Sequence, residues 1–281
     1  MEKAIHWFPG HMKKAQNEID AKLKIVDCVI ELLDARIPFS SRNETLYKMS
    51  ENKERLVVLT KSDLADPNIT KNWVEYYKQK GFHVVASDLN NPKDVKQIIA
   101  LASKCGDKKH EKEIKRGLKP SPVRAMIIGI PNVGKSTLIN KIANRKAASV
   151  QNKPGHTKAQ QWIKVNKDFE LLDTPGILQS SFEDKEKAIN LALVGSINQD
   201  ILPTTFLANT LLDYLKAIYK ESLLKRYEID SLDNSSFFKE LARKRGFLIK
   251  DGYDESKAEI TLLNEFKNGL LGRCSLENIN H

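Results

Sequence analysis

At 281 residues and 41% apolar content, the chain is long enough to bury a sizeable core and to form two domains. No apolar run approaches the roughly 18 residues that cross a bilayer. The opening Met-Glu-Lys-Ala-Ile-His-Trp lacks the apolar stretch of a secretory signal, and three widely spaced cysteines argue against a disulfide framework or a metal knuckle. Reduced thiols and a cytoplasmic location are the expectation.

The net charge of +10 is unevenly spread. Residues 183–281 carry 14 Lys and Arg against 16 Asp and Glu, whereas the first 182 carry 32 against 20. An electrostatic footprint for a phosphate backbone therefore belongs to the first part of the chain.

In chain order the spacing predicts a helix over Met12–Leu23, strands over Val26–Leu33 and Leu56–Leu59, and a helix over Thr70–Lys80 closed by Gly81. A strand at His83–Ala86 and a helix at Pro92–Ser103 follow. Then comes a polar stretch, from Lys104 to Arg124, that reads as a connector. Beyond it lie a strand at Arg124–Ile128, a helix at Lys135–Ala143, and strands at Gln161–Val165 and Phe169–Leu172. This alternation is that of an α/β fold, a mostly parallel sheet with helices on both faces. From about Glu183 the strand pattern stops. Ala188–Ile197, Thr205–Tyr219, Ser235–Arg245 and Ser256–Phe266 have helical spacing, with Leu211, Leu212, Leu215 and Ile218 on one face. Two domains are expected, residues 1–180 and an all-α domain over 181–281.

Gly129-Ile-Pro-Asn-Val-Gly134-Lys135-Ser136 matches the phosphate loop G-x-x-x-x-G-K-[ST], between a strand and a helix. Gly129 and Gly134 let successive N–H groups turn inward onto phosphate oxygens. Asn132, Val133, Gly134, Lys135, Ser136 and Thr137 are the expected phosphate contacts, with Lys135 on the terminal phosphates and the Ser136 hydroxyl on Mg²⁺. Asp173-Thr-Pro-Gly176 follows a strand some forty residues later. Its carboxylate suits Mg²⁺ through water, and the Gly176 N–H suits a γ-phosphate. Between them Thr157 offers a further Mg²⁺ ligand.

A base-reading element, Thr60-Lys61-Ser62-Asp63, follows the strand Leu56–Leu59. A carboxylate at Asp63 accepts from guanine N1–H and the exocyclic amine, a pattern adenine does not present. Lys61 can lay its stem along the base. Thr60 stands where Asn is usual and lacks an amide fork, which is expected to weaken affinity. A second base-contacting turn is expected at Ser87-Asp88-Leu89. In ordinary GTPases the base element follows the phosphate loop, whereas here it precedes it by about seventy residues.

That order, with Trp7-Phe8-Pro9-Gly10-His11-Met12, Leu33-Asp34-Ala35-Arg36-Ile37-Pro38 and Ser41-Arg42-Asn43, resembles the ribosome biogenesis GTPase A (RbgA/YlqF) family of circularly permuted GTPases. The likeness covers nearly the whole length and is sharpest over residues 5–180. It implies GTP and GDP binding and GTP hydrolysis, slow alone and stimulated by the ribosome. It also implies late assembly of the large (50S) subunit through contact with its rRNA, by a monomer that engages no membrane. Ile177 stands where other GTPases carry a water-positioning Gln. The resemblance assigns that role to His11, whose alternative is to begin a helix behind a Trp7–Phe8 plug. His156 is a weaker competitor. In relatives the Asn at the place of Asn132 holds K⁺. Because Asp173–Gly176 runs straight into the helical domain, γ-phosphate sensing is expected to turn that domain, so that GTP and GDP forms bind subunits differently.

Two other functions stay open on these residues. One is an rRNA scaffold that holds nucleotide without meaningful turnover, favoured by Ile177 and Thr60. The other is a permuted GTPase of the small subunit, disfavoured because the chain has no room for the zinc or β-barrel modules such proteins resemble.

Overall fold

The structure, a computed structural model, describes residues 5–6, 17–144, 162–172, 181–182, 184–197 and 202–279. A short β1 (Ile5–His6) pairs antiparallel with β8 (Ser181–Phe182), tying the start of the chain to the entry of the helical region. The main sheet has β2 (Cys28–Asp34), β3 (Glu54–Thr60), β4 (His83–Ser87), β5 (Val123–Ile128), β6 (Trp162–Asn166) and β7 (Phe169–Leu172). Their spatial order is β4-β3-β2-β5-β7-β6, parallel except for edge strand β6.

Parallel strands need cover on both faces, and their composition reflects it. Cys28, Ile30, Leu32, Leu56, Val58, Ala125 and Ile127 share one face, under α4 (Pro92–Lys104) and α6 (Lys135–Asn144). The alternate residues Val29, Leu33, Val57, Leu59, Met126 and Ile128 face the other way. They pack under α1 (residues 17–23), α2 (Glu44–Met49) and α3 (Pro67–Gln79). Gly81, at φ +84°, closes α3 as the sequence predicts.

The expected connector is partly helical. α5 (Asp107–Lys115) has no buried residue, so it offers no apolar period for the sequence to betray. Polar ties hold it instead: Lys109 reaches the Asp27 carboxylate at 2.9 Å, and Glu113 accepts from Ser121.

The C-terminal region consists of α7 (Lys185–Leu193), α8 (Thr204–Ile218), α9 (Lys220–Tyr227), α10 (Asn234–Arg245) and α11 (Glu255–Lys267), with a small hairpin of β9 (Leu248–Ile249) and β10 (Gly252–Tyr253). Leu207, Leu211, Leu212 and Leu215 are buried, but Ile218, expected on that face, is half exposed at the end of α8. One contiguous apolar cluster runs from the sheet into these helices. The expected division at residue 180 falls beside residues 173–180, outside the described residues.

One buried charge cluster interrupts the apolar face of β2. Glu31 pairs with Arg55 at 2.7 Å and Arg42 at 3.2 Å, and both guanidinium groups lie over the Tyr47 ring. Removing the shared anion leaves the buried Arg55 and the partly buried Arg42 facing each other without their counter-charge. Glu31→Ala is therefore expected to cost about 3–5 kcal/mol in urea unfolding. A loss below about 1 kcal/mol, the range of a solvated pair, would contradict this account.

Candidate nucleotide site

In an open parallel sheet, ligands bind at the carboxyl ends of the strands. Here β3 ends at Thr60, β4 at Ser87 and β5 at Ile128, and the three ends open onto one cavity of about 600 Å³. Lys61 and Asp63 form one wall and Asp88 and Leu89 a second. Asn132, Val133, Gly134, Lys135, Ser136 and Thr137 form the third. The two half-sites, far apart in sequence, thus share a single space.

The phosphate loop takes its shape from its glycines. Gly129, at φ +154°, passes so close to β2 that an added Cβ would lie 2.8 Å from the Leu32 carbonyl. Gly134, at φ +106°, leaves room for Leu89. The loop runs into the N-terminus of α6, whose first N–H groups have no partner within the helix and favour an anion. Lys135 is nearly buried, and its ammonium donates to the Gly129 carbonyl at 2.9 Å and to that of Ile130.

Thr60 occupies a different place from the one its motif suggests. It is fully buried behind the wall, where its hydroxyl lies 2.7 Å from the Val133 carbonyl and 3.1 Å from that of Leu33. The expected base contact is thus replaced by a tie between the base strand and the phosphate loop. Ser62 likewise stands off the wall; its N–H donates to the Ser87 carbonyl, joining the two base-contacting turns. Lys61 sits at φ +56° and pairs with Asp34 at 2.9 Å, which holds its stem along the wall. Burial drives the Asp34 carboxyl upward, but the charges of Arg36 and Lys61 outweigh it and hold the group well below the carboxylate range. Asp63 moves the other way: partial burial, reinforced by the Asp88 charge, raises its carboxyl against the pull of Arg36 and Arg273.

Helix caps fix where both base turns end. Asp66 accepts from the Asn68 and Ile69 amides ahead of α3, and Asn91 accepts from the Lys93 amide ahead of α4. In each, proline at the first helical position stops the loop. The Asp88 carboxylate accepts from the Asn90 N–H at 2.8 Å, and its own N–H donates to Asp94.

His11, His156, Thr157, Asp173, Gly176 and Ile177 lie outside the described residues. Asn132, at φ +58°, donates its side-chain amide to the Gly195 carbonyl at 2.8 Å, linking the phosphate loop to the end of α7. Sequence reasoning quoted Asp34 and Arg36 in a family motif without giving them a role at the site, and it missed the C-terminal segment 273–277. The segment follows the last helix with no period or motif to mark it.

A phosphate loop and a guanine-type turn on one parallel sheet, with their chain order reversed, define a circularly permuted P-loop GTPase. A family model described as 50S ribosome-binding GTPase matches residues 124–225. Ribosome biogenesis GTPase A of Bacillus cereus is 42% identical over 276 residues, 97% of this chain and 93% of its own. That of Thermotoga maritima is 33% identical over 97% of this chain and 94% of its own. A GDP-bound YlqF structure superposes with TM-score 0.65 at 29% identity, covering 94% of this chain and 100% of that one. GNP-bound YlqF from T. maritima gives 0.62 at 30% identity, covering 94% and 98%. The chain belongs to the ribosome biogenesis GTPase A family.

Two outcomes follow from Thr60 and Asp63. Thr60→Val leaves the buried Val133 carbonyl without its donor, so GDP affinity is expected to fall roughly tenfold in calorimetric titration. An unchanged affinity would remove the tie from the account. Guanine needs the charged Asp63, and the carboxyl is raised. GDP affinity should therefore decline on acidification at a higher pH than an ordinary aspartate would give. In Asp63→Asn that part of the pH dependence should vanish.

Proposed function

We propose that this GTPase assembly factor of the large ribosomal subunit holds one guanine nucleotide between the Asp63 turn and the Gly129–Ser136 loop. The observation that carries the reading is the shared cavity, with Lys61 and Asp63 on one wall and Lys135 and Ser136 on another. Guanine would lie against Lys61, Asp63 and the Asp88–Leu89 turn. The phosphates would meet the N-terminus of α6 and Lys135, whose ammonium would exchange its loop carbonyls for phosphate oxygens.

Mg²⁺ fits the residues present, because Ser136 lines the wall beside Lys135 and its hydroxyl is the hard oxygen such a cation takes. Asp173 and Thr157 would complete its surroundings. When bound, Mg²⁺ neutralises charge that develops on the β- and γ-phosphates. His11 is proposed to orient the attacking water, since Ile177 has no polar atom for it. The Asn132 amide oxygen is proposed to take K⁺, with its NH₂ held by Gly195. The chain would act as a cytoplasmic monomer, contacting rRNA through its basic first part. Among the described residues no helix is long and apolar enough to cross a membrane.

GTP and GDP forms are proposed to differ in subunit affinity. Co-sedimentation with separated ribosomal subunits should show large-subunit binding with a non-hydrolysable GTP analogue and release with GDP. Single-turnover GTP cleavage should rise when large subunits are added, and Lys135→Ala should abolish it. Cleavage that stays negligible with large subunits would favour a nucleotide-holding scaffold. Equal rates in sodium and potassium would remove K⁺ alone.

A further inference from the structure

The turn that carries Asp63 is held from outside the sheet. Between the end of β3 and the start of α3, the sheet side supplies the Ser62 N–H bond to Ser87, and the turn closes on itself through the Leu64 N–H bond to Lys61. The C-terminal segment supplies the others. The Arg273 guanidinium donates to the Ser62 carbonyl at 2.7 Å and the Ala65 carbonyl at 2.8 Å, bracing the turn on either side of Asp63. The Cys274 N–H donates to the Leu64 carbonyl at 3.0 Å, and the Asp66 N–H donates to the Ser275 hydroxyl at 3.1 Å. Three consecutive residues, some 210 positions away, thus satisfy four main-chain groups between Ser62 and Asp66.

The segment is itself firmly seated. Gly269, at φ +71°, lies so close to Leu64 that an added Cβ would fall 2.6 Å from its methyl carbon. The Ser275 N–H donates to the Tyr219 hydroxyl and the Leu276 N–H to the Arg36 carbonyl. The buried Glu277 carboxylate accepts from the Phe39 and Ser40 N–H groups and from the Asn190 amide. Arg273 thus stands on a platform fixed to both the sheet and α7–α8, and its planar guanidinium holds two donors in a fixed fork, one for each carbonyl, a geometry that a lysine's flexible ammonium does not fix.

We propose that Arg273 is a positioning residue for guanine recognition, fixing the turn that presents Asp63, so that base occupancy and seating of the C-terminal segment favour each other. Arg273 stands off the cavity wall and acts through the turn. The coupling is reciprocal by thermodynamic necessity. The proposal rests on the base-reading role of Asp63.

Calorimetry on the full chain with GDP, inosine diphosphate and ADP tests it. Inosine diphosphate lacks the exocyclic amine that the Asp63 carboxylate receives. Arg273→Ala should weaken GDP roughly tenfold and shrink the preference for GDP over inosine diphosphate, with Arg273→Lys recovering part of both. A general loosening of the fold would weaken both nucleotides alike and leave their ratio unchanged, which overturns the proposal. Should Arg273→Ala not fold, Arg273→Gln is read for the same ratio. If the wild-type chain prefers GDP to ADP and the variants keep its full selectivity, the positioning role fails alone. If the wild type binds ADP as well as GDP, the base-reading role fails and takes this proposal with it.

Discussion

A buried hydrogen bond joins the two halves of the nucleotide site. The Thr60 hydroxyl donates to the Val133 carbonyl from 73 positions away in sequence, and it also lies within bonding distance of Leu33 on the strand between them. Because Thr60 is fully buried, breaking the bond leaves a carbonyl without partner or water. The base turn and the phosphate loop are therefore fixed relative to each other before any ligand arrives. Such preorganisation favours tight, selective binding of a ligand that must touch both.

Around that joint, the permutation changes what the site is wired to. The segment Asp173–Gly176 leads in sequence toward the helical region, as the permuted order requires. The described contacts add connections that the order alone does not suggest. Asn132 in the phosphate loop bonds to Gly195 after α7, and Arg36 donates to the Lys267 carbonyl at the end of α11. The C-terminal segment then returns to the base turn. The helical region is thus in contact with both ends of the nucleotide cavity, and a change at either end has a packed route into it.

The main sheet was legible because its strands are buried on both faces and read as apolar β-branched runs such as Leu56–Leu59 and Arg124–Ile128. The phosphate loop was legible because glycine, lysine and serine at that spacing answer to one chemistry. α5 escaped because an exposed helix tied down by Lys109 and Glu113 has no apolar stripe, and Ile218 was misplaced because α8 ends just where it would turn inward. Thr60 was read as a weakened base contact, since its motif position cannot tell whether a hydroxyl points at the ligand or back into the protein. The brace by Arg273, Cys274 and Ser275 depends on contacts across about 210 residues between segments of irregular structure, and no local pattern encodes it.

The central claim, that Asp63 and Lys135 grip opposite ends of one nucleotide, is tested most directly by exchanging the base preference at one end while the other is left alone. Asp63→Asn turns the acceptor that meets the guanine amine into a group that can donate to the 2-oxo oxygen of xanthine. In titrations with GDP and xanthosine diphosphate, the account predicts that the variant prefers xanthosine diphosphate and still depends on Lys135 to bind it. A variant that keeps the wild-type preference for GDP would place the base somewhere other than beside Asp63 and contradict the account.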